Sequence, residues 1–392
     1  MRFTIVDLII LIAVVIAVSS GYRRGFWLSL AQYAGLVVGV LIGATLAPVL
    51  MDALKVSDST VRSLGAAIVL IILGAIGSSV GYWVGEPIRL RMLARPESGQ
   101  IDSFGGAIFS ALAVLSVSWF LGLSLARVPS PPLSSAIQRS SVLRSLDSFF
   151  PHPPGFLSRV EAIIAGVNFP AAFAGLEPIA PSPLPLPASV NTPGIQAAAS
   201  ETLKIQGYGC GGIVFGSGFP VGPGMVLTNA HVVAGTQGTM VRTPNGRGLS
   251  ARVVLFDPER DVAILYVSRL ALAPLNEADA HHGTEGAAIG YPGGGNEQVA
   301  PAVVNGQVRA EGRDIYGQNL VVRSIWILQA HVLPGNSGGP LVDLDGNVVG
   351  VIFAASTSQE GQAYALTDAE VQPDIDQAQG RTEPVQVGPC AM

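Results

Sequence analysis

Charge is scarce in this chain. Only 12% of its 392 residues are Asp, Glu, Lys or Arg, against about 25% in ordinary soluble domains. Lysine is confined to Lys55 and Lys204. The formal net charge of −5 is mild, and no basic patch is present that could displace counterions from phosphates, so a nucleic-acid partner is not expected. Cysteine is limited to Cys210 and Cys390, a pair that says little until its compartment is known. What the chain has instead is 49% apolar residues, 47 glycines and 28 prolines. That composition suits a protein partly embedded in lipid and partly rich in loops.

Four apolar runs precede residue 127: about Ile5–Ser20, Phe26–Leu46, Leu64–Val84 and Phe104–Leu125. Each approaches the roughly 20 residues that cross a ~30 Å hydrocarbon layer. Arg23 and Arg24 follow the first run, the reverse of the charge order of a cleavable leader, so that run is read as a span. Residues 1–127 are therefore expected to form a four-helix transmembrane domain. The first connection carries Arg23 and Arg24, and the third carries Arg89, Arg91 and Arg95. Basic connections stay cytoplasmic, which puts both ends of the domain, and everything after it, outside. Gly35, Gly39 and Gly43 recur on one face of the second span, as do Gly77, Gly81 and Gly85 on the third. Such faces let helix backbones approach closely. Asp7 and Asp102 stand near span ends; helix-terminal placement is the expectation, an ion-pathway role the alternative. The stretches Asp7–Ile10, Gly21–Phe26 and Asp102–Gly106 resemble the colicin V production family of membrane proteins, which implies a topology more than an activity.

Residues 128–200 gather prolines at 129–132, 151–154 and 178–187, so a semi-rigid linker is expected. Short helices over Leu133–Phe149 and Gly155–Ala165 interrupt it. Its exposure also makes it a candidate site of self-cleavage. From residue 201 to 392 the pattern changes to about eleven short strands with glycine-rich turns, which predicts an all-β domain. The polar stretch after Asp368 is read as one short helix.

Chemistry concentrates in this last region. Gly335-Asn336-Ser337-Gly338-Gly339-Pro340 combines a nucleophile with an adjoining pair of backbone donors, the N–H groups of Gly335 and Ser337, for an oxyanion hole. Serine needs a neighbouring base, and His231 in Thr228-Asn229-Ala230-His231-Val232-Val233 directly follows a strand. Of the other histidines, His152 lies in the linker, and His281 and His282 in a polar loop. The third member must be rigidly held to fix the imidazole tautomer. Asp261 opens an apolar strand and is favoured over Asp257 in the preceding turn. His, Asp, Ser is the trypsin-like order.

Together these motifs resemble the trypsin-like proteases of the high-temperature-requirement, DegP-like group. The resemblance implies a double β-barrel, two six-stranded barrels with the site between them, and it assigns His231, Asp261 and Ser337 as base, orienter and nucleophile. His331, six positions before the nucleophile, stands where such enzymes place the floor of the primary specificity pocket; Phe353, Ala354 and Ala355 complete a candidate pocket. A packed structural role for His331 remains the alternative. Relatives favour an acidic residue at Gln329, Asn at Leu333 and a small residue at His331, so substrate preference is expected to differ. No room remains for a PDZ domain after the protease region. The whole arrangement resembles the mycobacterial membrane-bound acid-resistance proteases. Membership implies a periplasmic serine endopeptidase acting through an acyl-enzyme on protein or peptide substrates, with the lipid bilayer as its other partner and a role in acid and oxidative stress. Outside the cytoplasm Cys210 and Cys390 can form a disulfide, two free thiols being the alternative. The reading calls for no metal and no cofactor and leaves the oligomeric state open. A membrane scaffold or transport-associated protein with a silent protease-like domain is the competing reading.

Overall fold

The structure, a computed structural model, describes residues 3–54, 59–92, 98–126, 131–149, 172–178, 182–356 and 358–391. Two compact units divide it, Met1–Val167 and Asn168–Met392. The segment expected as linker is thus shared between them.

In the first unit four long helices follow one another: α1 (Ile5–Arg24), α2 (Phe26–Ala53), α3 (Ser59–Met92) and α4 (Ser98–Ala126). All four are long and apolar enough to cross a membrane. The glycine faces meet as expected. A Cβ on Gly35 would strike Gly77 O, and one on Gly39 would strike Leu73 O; the α2–α3 seam therefore tolerates no side chain there. Asp7 is fully buried and closes a capping box with Thr4, while its other oxygen accepts from Ser140 Oγ at 2.6 Å and Val142 N at 2.9 Å. Asp102 caps α2 from α4, accepting from Phe26 N at 2.9 Å, because the N-cap residue is Gly25 and has no side chain to do so. Both aspartates are helix-terminal. The single helix expected over Leu133–Phe149 is two, α5 (Pro131–Gln138) and α6 (Ser141–Phe149). The break falls at Ser140, whose hydroxyl is engaged by Asp7 and by Leu143 N as the cap of α6. The helix expected over Gly155–Ala165 lies outside the described residues.

The second unit begins with α7 (Pro193–Glu201) and then runs as strands. The first set is β1 (Leu203–Gly209), β2 (Gly212–Gly222), β3 (Met225–Thr228), β4 (Thr236–Arg242), β5 (Gly248–Ser250), β6 (Arg252–Asp257) and β7 (Val262–Tyr266), with the helical turn α8 (Ala230–Val233) after β3. They form one seven-stranded sheet in the order β5-β4-β1-β2-β3-β7-β6. Six strands were expected. The seventh arises because Ala251 interrupts one long strand into β5 and β6, and these become the two edges of the sheet. The sheet curls until its edges are consecutive in the chain, with Ala251 N donating to Thr239 O at 3.0 Å.

The second set is β8 (Glu285–Gly290), β9 (Gln298–Arg313), β10 (Leu320–Ala330), β11 (Pro340–Asp343), β12 (Val348–Ala355) and β13 (Gln362–Leu366), a closed barrel ordered β10-β13-β12-β11-β8-β9. Helix α9 (Asp368–Ala378) follows. Strand alternation sorts side chains into cores. In β7, Ala263 and Leu265 enter the first barrel while Val262 and Ile264 enter a core shared with the second. In β10, Trp326 and Leu328 fill the second barrel while Ile325 and Ile327 face the shared core. This is why these strands read as continuous apolar runs. Each fully buried aliphatic residue contributes about 1.5–3 kcal/mol.

Cys210 lies outside the strands. It sits with Gly211 in the two-residue turn between β1 and β2, both at positive φ (53° and 81°), the geometry of a type I′ hairpin. There it is bonded to Cys390, with a Cα–Cα distance of 5.7 Å. The tail reaches it along the first barrel, Val385 N donating to Val253 O at 2.8 Å. Closing a loop of 180 residues stabilises the fold by roughly 5 kcal/mol in the chain-entropy account. Cys390→Ser should therefore lower the unfolding temperature by several degrees in the absence of reductant and leave it unchanged in its presence, as read by differential scanning fluorimetry.

Two carboxyls in α9 are held far from their ordinary range. Burial, then the charges of Glu277 and Asp279, raise Asp368 to about 7; burial and Asp257 raise Asp374 to about 6 despite Arg260. A carboxyl whose folded value lies above its unfolded one binds its proton more tightly when native. Its contribution is fully present below the unfolded value, near about 4, and is lost as pH rises through the folded value. Asp368→Asn should thus stabilise the protein more at about pH 8 than at about pH 5. Equal shifts in unfolding temperature at both pH values would contradict this assignment.

Candidate active site

The turn α8 presents His231. Ala230, Val232 and Val233 are buried in the first barrel, and this anchoring leaves the imidazole partly exposed at the end of β3. Asp261 reaches it from the β6–β7 turn. The imidazole Nδ1 lies 2.8 Å from Asp261 Oδ2 and 3.0 Å from Oδ1, and the His231 N–H donates to Oδ1 at 2.9 Å. The carboxylate is 1% exposed, so its negative charge is available to the ring and scarcely to water. Asp261 has φ 62°, a left-handed conformation that L residues rarely adopt, which stores strain at the site. Three groups hold it there: Asn229 Nδ2 donates to Asp261 O at 2.8 Å, and the backbone N–H and ring Nδ1 of His231 fix its side chain. Behind it stands Arg323, buried in β10. Its Nε donates to Glu259 O at 2.7 Å and its Nη2 to Arg313 O at 2.9 Å. Burial pushes its guanidinium below the usual range, and the Asp261 carboxylate is the first charge opposing that fall. Asp257, the weighed alternative, instead caps its own turn and pairs with Arg260 at 2.9 Å.

Ser337 lies in the turn between β10 and β11. Among the described residues its Oγ makes no hydrogen bond, to His231 or to any other group. The turn is nonetheless pressed against the end of β3. A Cβ on Gly338, at φ 82°, would stand 2.9 Å from Asn229 N, two residues before His231, so only glycine allows the approach. The two expected oxyanion donors are oriented from behind. Pro334 O accepts from Gly293 N at 2.7 Å, and Asn336 O from Gly339 N at 2.9 Å. A trans peptide points its N–H opposite to its C=O. The Gly335 and Ser337 N–H groups are therefore turned away from those anchors, and among the described residues neither has a protein acceptor.

Ser217 was not singled out in the sequence, yet it organises this turn. Fully buried in β2, its N–H donates to Ser337 O at 2.8 Å and its Oγ to Gly335 O at 2.7 Å, while Oγ accepts from Tyr291 N at 2.9 Å and its carbonyl from Thr228 Oγ1 at 2.7 Å. One residue of the first barrel thus holds both residues of the donor pair in the second. The available signal was a lone hydroxyl between Gly216 and Gly218 in an otherwise apolar strand.

The candidate pocket residues separate. His331 is exposed, which removes the packed structural alternative. Phe353 is 1% exposed and belongs to the shared core, and a register shift falls between Ile352 and Ala354. Ala354 is buried and Ala355 half-buried. On its β11 side, β12 makes its last backbone bonds at Ile352, whose N–H donates to Gly339 O at 2.9 Å and whose carbonyl accepts from Gly338 N at 2.8 Å; among the described residues the edge beyond Ile352 has no strand partner on that side. No group of three or more metal-binding side chains occurs among the described residues.

Comparison with known proteins agrees with this geometry. Residues 216–351 match the trypsin-like peptidase domain family, and residues 6–151 match the colicin V production protein family. The serine protease Rv3671c of Mycobacterium tuberculosis (strain H37Rv) is 33% identical over 396 residues, covering 98% of each chain. A crystal structure of that protease in its active form matches 55% of this chain and 96% of its own, with 39% identity and a TM-score of 0.53. A probable periplasmic DegP-like serine endoprotease of Halomonas elongata is 37% identical over 160 residues, 38% of this chain and 32% of its own length. Fold and site together define a serine protease of the trypsin-like, DegP type, joined to a membrane domain of long apolar helices. Within that class the chain belongs to the family of the Mycobacterium tuberculosis serine protease Rv3671c.

Removing the Ser217 hydroxyl leaves Gly335 O and Tyr291 N without their buried partner, at a cost of about 1–3 kcal/mol each. Ser217→Ala should lower kcat by ~10–100-fold while KM stays within ~3-fold. Steady-state kinetics on a peptide substrate measures both; an unchanged kcat would remove Ser217 from the machinery.

Proposed function

We propose that this protein is a serine endopeptidase anchored in the cytoplasmic membrane, with Ser337, His231 and Asp261 as its catalytic residues and its protease unit outside the cytoplasm. The observation that carries the catalytic part is the pair of anchored peptides beside Ser337, whose N–H groups are turned away from their anchors and, among the described residues, left without protein acceptors.

In this reading Ser337 Oγ attacks the substrate carbonyl carbon, and His231 Nε2 takes the hydroxyl proton. Asp261 holds Nδ1–H and so presents Nε2 as the base. The carbonyl oxygen becomes an anion between the Gly335 and Ser337 N–H groups. Collapse of the tetrahedral intermediate breaks the C–N bond, His231 returns the proton to the leaving amine, and an acyl-enzyme remains. Water then repeats the sequence with His231 as base and releases the acid. The open edge of β12 can take an extended peptide as an added strand, with His331 and Ala355 framing the pocket for the residue before the cleaved bond. Substrates are proteins or peptides, and no step requires a metal or cofactor.

Arg23 and Arg24 at the end of α1, with Arg89 and Arg91 at the end of α3, support cytoplasmic connections there and extracytoplasmic ends. The Cys210–Cys390 bond supports an oxidising compartment such as the periplasm. The carboxyls of α9, which favour the folded state as pH falls, support service in acid; a part in acid and oxidative stress resistance follows from the family resemblance.

The test is activity-based labelling of the full chain in detergent. Wild type should react with a fluorophosphonate at Ser337 and cleave casein. Ser337→Ala should do neither, and His231→Ala should lose at least ~10³-fold in kcat. A folded wild-type chain that neither labels nor cleaves would favour the scaffold with a silent protease domain.

A further inference from the structure

A carboxylate ahead of the barrels is used by neither the triad nor the cores. Residues 172–178 were expected as linker, yet they lie on the protease unit. Ala172 and Phe173 are buried in the shared core. Ala174 N donates to Glu311 O at 2.9 Å. The Phe173 ring packs edge-on against Tyr364, centroids 5.3 Å apart. Gly312 leaves space for the segment, since a Cβ there would stand 2.7 Å from Ala172 O.

This docking delivers Glu177 to the turn between β12 and β13. Its Oε2 accepts from Ser356 Oγ at 2.5 Å and from Ser358 Oγ at 2.6 Å. Ser356 Oγ also accepts from Ser358 N at 3.2 Å and Gln359 N at 2.9 Å, so the hydroxyl that Glu177 orients shapes the turn itself. Below it Tyr364 is fully buried and accepts from Gln362 Nε2 at 2.6 Å. Hydrogen bonds to an ionised carboxylate are about twice as strong as neutral ones, and this one engages two hydroxyls at once.

The same turn is joined to both sides of the candidate pocket. Ala354 and Ala355 run directly into Ser356. On the opposite side Gly361 O accepts from Ala330 N at 2.7 Å, one residue before His331. A shift of the turn therefore moves both sides together.

We propose that Glu177 is a positioning residue for substrate selection. Through Ser356 and Ser358 it sets the β12–β13 turn, and it makes residues 172–178 a strap by which the chain preceding the barrels bears on the pocket. This rests on reading the pocket framed by His331 and Ala355 as the primary specificity site.

The test uses the full chain in detergent and a peptide series varied only at the residue before the scissile bond. Glu177→Ala should raise KM for the preferred peptide by ~5–20-fold, leave kcat within ~3-fold and flatten the preference across the series. Fluorophosphonate labelling of Ser337 should proceed at the wild-type rate. Glu177→Gln, which keeps the shape and one acceptor, should shift the same values less. The pair Ser356→Ala and Ser358→Ala should reproduce Glu177→Ala, and combining all three should add nothing. An equal loss across every peptide, additive losses, or an unchanged preference would overturn the proposal. Wild-type insensitivity to the varied residue would instead strike the pocket reading, and failure of wild type to label would strike the protease reading.

Discussion

Everything the site can do depends on two peptide planes. Pro334 O is held by Gly293 N and Asn336 O by Gly339 N, and planarity then dictates where the Gly335 and Ser337 N–H groups point. An oxyanion is stabilised only by donors that need no reorientation when charge develops. Here the reorientation was completed during folding. The cost is visible in Gly335 at φ 103° and Gly338 at φ 82°, positions that a side chain would make strained.

Ser217 explains why two barrels are needed. Its four hydrogen bonds reach Thr228, Tyr291, Gly335 and Ser337, so the donor pair of the second barrel is fixed by a strand of the first. His231 and Asp261, the proposed base and its carboxylate, belong to that first barrel as well. The shared core, built from Leu227, Ile264, Ile289 and Ile325 among others, keeps the two halves in register by burial alone, and the polar contacts at the site supply the direction that apolar packing lacks. Arg323 is the reverse connection, a cation of the second barrel steadying the turn that carries Asp261.

Much of this was legible in the chain. Long apolar runs, glycines spaced by four and strand alternation each follow from one local rule, and the four spans, the α2–α3 seam and the β domain came with them. The His231–Asp261 contact was legible because each of the two sits in a short motif of its own. Other features were not, and the reason is the same each time: the partner is distant in sequence. Ser217 looks like any turn serine until Gly335 O and Ser337 O are beside it. Glu177 looks like linker until Ser356 and Ser358 meet it. Phe353 was expected in the pocket and lies in the shared core, at a register shift that no local pattern announces. The seventh strand likewise depends on a bend at Ala251 that brings two sheet edges together.

The central claim is that the Gly335 and Ser337 amides stand ready for an oxyanion next to a nucleophile served by His231. The most direct measurement is a crystal structure of the full chain, or of its Ser337 phosphonate adduct, showing where the phosphoryl oxygen lies. The account predicts that oxygen within hydrogen-bond reach of both amides, with Pro334 O still bound to Gly293 N. An adduct whose oxygen points to solvent, or a 334–335 peptide turned over to aim its carbonyl at the adduct, would contradict it.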